Sequence, residues 1–303
     1  MRYSKERYMT KFMMMAGIPG SGKSSFAELL AKKENAEILS SDKIREEICG
    51  DINDQSKNDE VFKLLHSRIK ENLKTDKNTI FDATNISSKH RRAFLTQLNN
   101  ITCKKECYVM TTPYKKCLEN NMSRERKVPE DVIKQMYMNW TTPYWFEGWD
   151  NIILISTEKS EIFAGDYTEE FVTFDQESPH HLLSLGNHML MAEKLAETDD
   201  KTLKMALRLH DIGKPFTKTF VNKKGEITEI AHYYSHHNCG AYDSLNFLYP
   251  DDVHPLDVSV LIGLHMEPYF WEYEKTRNKY KRLWGEELYN KVMKLHKYDV
   301  LAH

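Results

Sequence analysis

The sequence predicts two domains of different class: an α/β domain built on a parallel sheet flanked by helices, then an all-α domain with a small β-hairpin. Three observations carry this expectation. Short apolar runs alternate with helix-period segments from residue 11 to residue 156. From Pro179 onward the pattern is almost wholly helical. Eleven of the 13 histidines lie at or beyond position 180, a clustering that suits metal or acid–base work. The expected boundaries are 11–156 for the first domain, 157–177 for a linker and 178–303 for the second.

Residues 1–10 read as a polar extension. Phe12–Ala16 reads as a strand, followed by Gly17-Ile18-Pro19-Gly20-Ser21-Gly22-Lys23-Ser24 and a helix with Phe26, Leu29 and Leu30 on one face. Strand, glycine-rich loop and helix match the phosphate-binding pattern G-x-x-x-x-G-K-[ST]. Gly17, Gly20, Ser21 and Gly22 let successive N–H groups point at phosphate oxygens. The helix N-terminus adds partial positive charge. Lys23 would reach the β- and γ-phosphates and Ser24 would offer its hydroxyl to Mg²⁺. This stretch predicts a bound nucleoside triphosphate but does not name the acceptor.

The remaining elements follow in order. Ala36–Ser40 is a second strand, ending at Ser41-Asp42, and a helix runs on towards Gly50. Val61, Phe62, Leu65, Ile69 and Leu73 give a helix over 57–74. Thr79–Phe81 is a buried strand leading to Asp82-Ala83-Thr84-Asn85, with a helix from near Ser88. Cys107–Met110 is a strand, Pro113 and Pro129 open helices, and Ile152–Ile155 is the last strand. Acceptors for such a sheet lie at the carboxyl ends of the strands. Asp42 therefore stands where a carboxylate can take a proton from an attacking hydroxyl, with a helix N-cap as its ordinary alternative role. Arg45, one turn on, can pair with an acceptor phosphate. Asp82, Thr84 and Asn85 are candidates for acceptor contact or for the outer shell of Mg²⁺. Arg124 and Arg126 are candidates to neutralise charge on the transferring phosphoryl group.

Gly17–Ser24, Ser41–Arg45, Asp82–Asn85, Asn121–Pro129 and Glu147-Gly148-Trp149-Asp150, in this order and spacing, resemble the phage-type 5′-OH polynucleotide kinases over roughly residues 11–156. The resemblance implies ATP and Mg²⁺, Asp42 as the acceptor base, Arg45 on the acceptor phosphate and a mobile lid bearing Arg124 and Arg126. Position 120 is Asn where the family often carries a further Arg.

In the second half, 157–177 is acid-rich, with Phe171–Phe174 as a candidate short strand. Leu182, Leu185, His188, Met189 and Leu190 fit one helix. Leu203–Leu209 forms another, running into His210-Asp211-Ile212-Gly213-Lys214-Pro215. Residues 216–234 predict a β-hairpin around Asn222-Lys223-Lys224-Gly225, and helices follow from His236 and over Leu256–His265. His188, His210, Asp211, His236, His265 and Asp299 resemble the HD-domain phosphohydrolase pattern over about 179–303. The Gly240-Ala241 that follows selects His236 over His237 as the matching ligand. The resemblance implies one or two divalent ions such as Mn²⁺, Ni²⁺, Co²⁺ or Fe²⁺, with His265 separating the two cases and Asp211 able to bridge. Such ions would activate water against a phosphoester, with Lys214 holding the phosphate. His181 and His237 are candidates for outer contacts, and His296 for the surface.

Bulk properties set limits. The N-terminus lacks an apolar core and no apolar run is long enough to span a membrane. Five scattered cysteines, of which only Cys103 and Cys107 are close, suit neither a disulfide framework nor a zinc site, so the chain reads as cytoplasmic with reduced thiols. Residues 1–160 hold 27 Lys and Arg against 22 Asp and Glu, whereas the rest hold 16 against 23. A basic first half suits an anionic substrate. Together the two resemblances imply a bifunctional end-healing enzyme for nucleic acid, with RNA preferred to DNA as the expected substrate. One half would phosphorylate 5′-OH ends; the other would clear a 3′-phosphate, a 2′,3′-cyclic phosphate or a 2′-phosphate, leaving sealing to a separate ligase. Known fusions of these modules place the HD module first; here it is second. Two alternatives stand beside this: a metabolite or tRNA-linked kinase with an HD nucleotide hydrolase, and a non-catalytic nucleotide sensor.

Overall fold

The computed structural model describes residues 9–158, 160–179 and 182–303. It divides into two compact units: residues through Met110 with Pro143–Thr157, and Thr111–Thr142 with Glu158–His303.

In the first unit, β1 (Lys11–Ala16) is apolar on both faces, and Phe12 to Ala16 are essentially inaccessible, as in a central parallel strand covered on both sides. α1 (Lys23–Glu34) buries Lys23, Ala27 and Leu30, a stripe at helical spacing. Leu29, expected on the buried face, is exposed. It lies two residues from Ala27, which on a helix points it away from Ala27's face. β2 (Glu37–Ser40) leads directly into α2 (Ser41–Cys49). Ser40, not Asp42, occupies the N-cap, and Asp42 sits in the first turn, where a carboxylate complements the helix dipole. α3 (Asn58–Lys74) buries Val61, Leu65, Ile69 and Leu73 against β2 and β3 (Thr79–Asp82). Each such side chain contributes about 1.5–3 kcal/mol of hydrophobic stabilisation. α4 (Ser88–Gln97) then returns along the sheet to β4 (Lys104–Met110).

The chain next enters the second unit through α5 (Tyr114–Met122) and α6 (Glu130–Met138), with Pro113 and Pro129 at their N-caps. It returns to the first unit for β5 (Asn151–Ile155). The five strands are all parallel in the order β2-β3-β1-β4-β5. Because β1 and β3 are neighbours, the loop after β1 and the loop after β3 emerge side by side at the carboxyl edge. A buried Arg91–Glu147 pair, 2.6 Å apart, joins α4 to the 3₁₀ turn Trp145–Glu147, and Trp149 Nε1 donates to the same carboxylate.

The second unit contains α7 (Ala164–Tyr167), α8 (Leu185–Leu195), α9 (Lys201–Leu209) and α10 (Lys214–Thr217). A hairpin of β6 (Lys218–Val221) and β7 (Ile227–Tyr233) follows. Its turn uses Gly225 at φ 84°, as the sequence predicts. α11 (His236–Ser244), α12 (Pro255–Leu264), α13 (Glu274–Trp284) and α14 (Glu286–Leu301) complete it. α9 is the hub, packed on α8, α12 and α14. Asp200 caps it by accepting from Leu203 N–H at 3.0 Å.

Two expectations for 157–177 change. Phe171–Phe174 is no strand: Thr168–Phe171 forms a 3₁₀ turn and 172–173 continue as turn, packed on α8. The segment is not a free linker either. Thr168 is fully buried and donates to Arg208 O at 2.8 Å, and Gln176 is buried and donates to Leu183 O at 3.1 Å. Its acidic residues line the outward side, which masks this burial in the composition.

Candidate active sites

The phosphate loop is shaped by glycines that no other residue replaces easily. A Cβ on Gly17 would stand 2.7 Å from Ser21 Oγ, and Gly22 has φ 87°. Lys23 Nζ lies along the loop, donating to Ile18 O at 2.8 Å. Ser24 Oγ donates to Asp82 Oδ2 at 2.9 Å. The other oxygen, Asp82 Oδ1, is buried and has no hydrogen-bond partner. A hydroxyl and a carboxylate with one spare oxygen, at the start of α1 and the end of β3, are the donor set that takes Mg²⁺ in phosphate-loop enzymes.

Thr84 and Asn85 brace the loop. Gly17 N–H donates to Thr84 O at 2.9 Å, and Asn85 Nδ2 donates to Met15 O at 2.8 Å from a left-handed backbone at φ 45°. Asp42 is half-exposed and accepts from Arg45 Nη1 at 2.8 Å. Arg45 is buried, gives Nη2 to Asn58 Oδ1 at 3.0 Å, and keeps Nε without a partner. Arg124 and Arg126 lie in the loop between α5 and α6, which belongs to the second unit. Asn121 closes the base of that loop: its amide donates to Val128 O at 2.8 Å and accepts from Val128 N–H at 2.9 Å.

In the second unit five helical segments deliver six buried side chains to one point. His188 comes from α8, His210 and Asp211 from the end of α9, His236 from the start of α11, His265 from the end of α12 and Asp299 from α14. They form two groups that could each hold an ion, His188–His210–Asp299 and Asp211–His236–His265. Within the first, His188 Nε2 is 3.1 Å from both His210 Nε2 and Asp299 Oδ1. Within the second, His236 Nε2 is 3.2 Å from His265 Nε2 and 3.1 Å from Asp211 Oδ1. Asp211 joins them, because its Oδ2 faces His210 at 3.4 Å and His188 at 3.6 Å.

The other ring nitrogens orient these histidines. Nδ1 of His210, His236 and His265 lies 2.7 Å from the carbonyls of Leu207, Tyr233 and Ile262. Donation there leaves each Nε2 lone pair facing inward. Two imidazole nitrogens about 3 Å apart share either a proton or a metal ion, and the two His/Asp groups are each of a kind that could hold a divalent ion. Electrostatics agree. Burial would lower the His210 pKa, but the Asp211 and Asp299 carboxylates lift it to about 10. Burial would raise Asp211, yet the Lys214 ammonium and His210 hold it well below the carboxylate range. The pocket therefore favours positive charge where the two groups meet.

Gly213 makes this convergence possible. A Cβ there would lie 2.1 Å from His236 O, so only glycine lets the turn after Asp211 touch the start of α11.

Residues 12–143 match the family model described as AAA domain, and residues 180–302 match the one described as HD domain. The chain joins a P-loop kinase-like domain to a following HD domain. The L-seryl-tRNA(Sec) kinase of Methanococcus maripaludis is 33% identical over 160 residues, which are 48% of this chain and 60% of that protein. The match thus spans less than two thirds of that relative. The Pnkp1/Rnl/Hen1 RNA repair complex aligns at 22% identity over 46% of each chain, with a TM-score of 0.38. A gluconokinase from Sinorhizobium meliloti 1021 aligns at 12% identity over 51% of this chain and 86% of that one, with a TM-score of 0.37. Among the described residues, no helix is long and apolar enough to cross a membrane, and all five cysteines are free.

Gln176 and Tyr269 are HD-domain residues that carry no sequence signal. Lys214 Nζ is 2.7 Å from both Asp211 Oδ2 and Gln176 Oε1, so it grips the bridging carboxylate from one side while Gln176 positions it from the other. Tyr269 Oη donates to Asp299 Oδ2 at 2.9 Å. His303 Nε2 stands 3.4 Å from Asp299 Oδ1; the i, i+4 spacing is the one clue that points to it. His296 is not at the surface as expected: it is half-buried, its ring edge-on to Tyr269 at 4.4 Å, because α14 turns that face towards the Tyr269 side chain. His237 packs beside His236 and His265, and burial pulls its pKa down to about 3. His181 lies outside the described residues.

Proposed function

We propose that the chain heals broken nucleic-acid ends, phosphorylating a 5′-OH in its first unit and hydrolysing a terminal phosphoester in its HD domain. RNA is the favoured substrate. The observation that carries the reading is the Asp211 carboxylate shared by two buried ligand groups, in a chain whose other unit holds a full phosphate loop. A site that adds phosphate and a site that removes it serve one substrate only if they act on different ends.

In the kinase half, Lys23 would neutralise the β- and γ-phosphates while the loop N–H groups fix them. Mg²⁺, when held by Ser24 and Asp82, supplies further charge neutralisation to the triphosphate. Asp42 would accept the proton of the attacking hydroxyl as its oxygen bonds to the γ-phosphorus and ADP leaves. Arg45 supports this: Nη1 orients Asp42, and its guanidinium is the proposed partner of an acceptor phosphate. Asp82 is reassigned here from acceptor contact to the Mg²⁺ side on its bond to Ser24, and Thr84 and Asn85 to bracing the loop.

In the HD half, His188, His210, Asp211, His236, His265 and Asp299 would hold two divalent ions. Bound there, such ions supply the Lewis acidity that activates water and polarises a phosphoryl oxygen. Lys214, buried beside Asp211, keeps that carboxylate ionised and is the proposed positive charge for the phosphate. The test gives the full chain γ-labelled ATP with 5′-OH oligoribonucleotides, and separately oligoribonucleotides ending in 3′-phosphate or 2′,3′-cyclic phosphate. Label on the 5′ end and loss of the 3′ phosphate are expected; failure of both overturns the reading.

A second reading has a specific support: the 33% identity to a kinase named for seryl-tRNA. The acceptor would then be a hydroxyl on an aminoacyl group carried by tRNA. Seryl-tRNA and a 5′-OH oligoribonucleotide offered together separate the two, since only one should take the label.

A further inference from the structure

On the first unit, away from the phosphate loop, a groove of about 500 Å³ runs between α4 and residues 146–148. One wall carries Lys89, Arg92, Thr96 and Asn99, which share a face of α4 and its continuation. The other carries Lys105 and Phe146. We infer that this groove holds the phosphodiester backbone of a single-stranded nucleic acid whose 5′ end lies in the kinase site. The inference rests on the nucleic-acid reading above and names how that substrate is held.

Three observations carry it. First, Lys89, Arg92 and Lys105 make no ion pair with any described residue, yet they converge on one cavity. The single carboxylate in the lining, Glu147, is cancelled by its bidentate bond to Arg91. The Asp150 carboxylate, outside the lining, accepts from the Lys105 backbone N–H at 2.7 Å, so the lining itself sets three cations against no unpaired carboxylate, the footprint of a polyanion. Second, Phe146 adds a half-buried aromatic wall, and cations alternating with an aromatic face are what unpaired bases and their phosphates require. Thr96 and Asn99 add neutral polar groups between the charges.

Third, the groove has a direction. α4 follows β3 and runs back along the sheet, so Lys89 in its first turn lies near the carboxyl edge, where Asp82–Asn85 and the phosphate loop emerge. Lys105 pairs with Phe12 near the start of β1, at the amino edge. Ten residues of α4 span about 15 Å. A strand entering at the acceptor loop and leaving past Lys105 would meet a cation at each end and one between.

The full chain should bind a fluorescent 5′-OH single-stranded oligoribonucleotide with an affinity that falls with salt. In the Lys89→Gln/Arg92→Gln/Lys105→Gln variant the slope of log affinity against log salt should shrink by about 2, near 0.7 for each phosphate no longer neutralised. Phe146→Ala should weaken binding about tenfold with the slope kept. In kinase turnover the triple variant should raise KM for a long oligonucleotide while leaving kcat, KM for ATP and phosphorylation of a single nucleotide unchanged. An oligonucleotide that does not bind the native chain, or a salt slope that the triple variant leaves intact, overturns the groove. Failure of the end-healing reading shows differently: native chain that binds through the groove but phosphorylates no 5′-OH.

Discussion

The two units build their candidate sites from opposite materials. The first uses backbone: eight consecutive residues, shaped by glycines, with one lysine and one hydroxyl added. The second uses side chains alone, six of them, drawn from helices spread between residues 188 and 299. The difference teaches where each site is fragile. A backbone site depends on local conformation, so its weak points are the loop glycines. A side-chain site depends on how helices approach one another, so its weak points include residues that never touch a ligand.

The sharpest way to break this comparison is a double dissociation. Lys23→Met should lower phosphotransfer about 10²–10³-fold and leave the HD metal content unchanged. Asp211→Asn, which removes the shared ligand charge, should lower phosphoester hydrolysis by more than about 100-fold and reduce bound metal, with kinase turnover kept. Turnover assays with elemental analysis decide it; a variant that silences both activities would show the sites are not separate.

Two glycine substitutions probe fragility more finely. Gly213→Ala drives a Cβ into His236 O and should destabilise by about 3 kcal/mol, with loss of metal. Gly22→Ala meets nothing closer than 3.3 Å and pays mainly for its left-handed backbone, about 1–2 kcal/mol. Thermal melts should rank them in that order.

Asp82→Asn should raise the Mg²⁺ concentration needed for turnover about tenfold, with nucleotide binding in the absence of Mg²⁺ little changed. An unchanged Mg²⁺ requirement would return Asp82 to the acceptor.

The smallest effect concerns pH. Asp243 on α11 holds Tyr137 of α6, and burial lifts its carboxyl from 3.8 to about 7. Between those values the folded chain keeps a proton that the unfolded chain has lost. Its stabilising contribution is therefore complete below about pH 4 and disappears as pH rises through 7. Asp243→Asn should flatten the melting temperature of the native chain over pH 4–7 by a few degrees.

What could be read in advance follows from the same contrast. The phosphate loop is contiguous, so residue types and order alone reveal it. The HD ligands are scattered, but the adjacent His210-Asp211 pair and the later histidines leave a recognisable spacing. Gln176 and Tyr269 had no such signal: each is an ordinary residue that matters because another helix brings Lys214 or Asp299 within 3 Å. The 157–177 segment misled for a related reason, since its exposed acids dominate composition while Thr168 and Gln176 turn inward. Leu29 shows the limit of local pattern within a single helix, because which of three apolar residues is buried depends on where the sheet lies.

By itself, then, the amino-acid order determined two classes of domain and the phosphate loop, because backbone propensity and side-chain chemistry are local properties, and its resemblance to the HD pattern singled out six candidate ligands. Tertiary structure alone decided that Asp211 faces both ligand groups, that Asp82 bonds Ser24, that Asn121 closes a loop belonging to the helical unit, and that Lys89, Arg92 and Lys105 share one groove. Each of those depends on a distance that the local pattern does not set, and only packing fixes such distances.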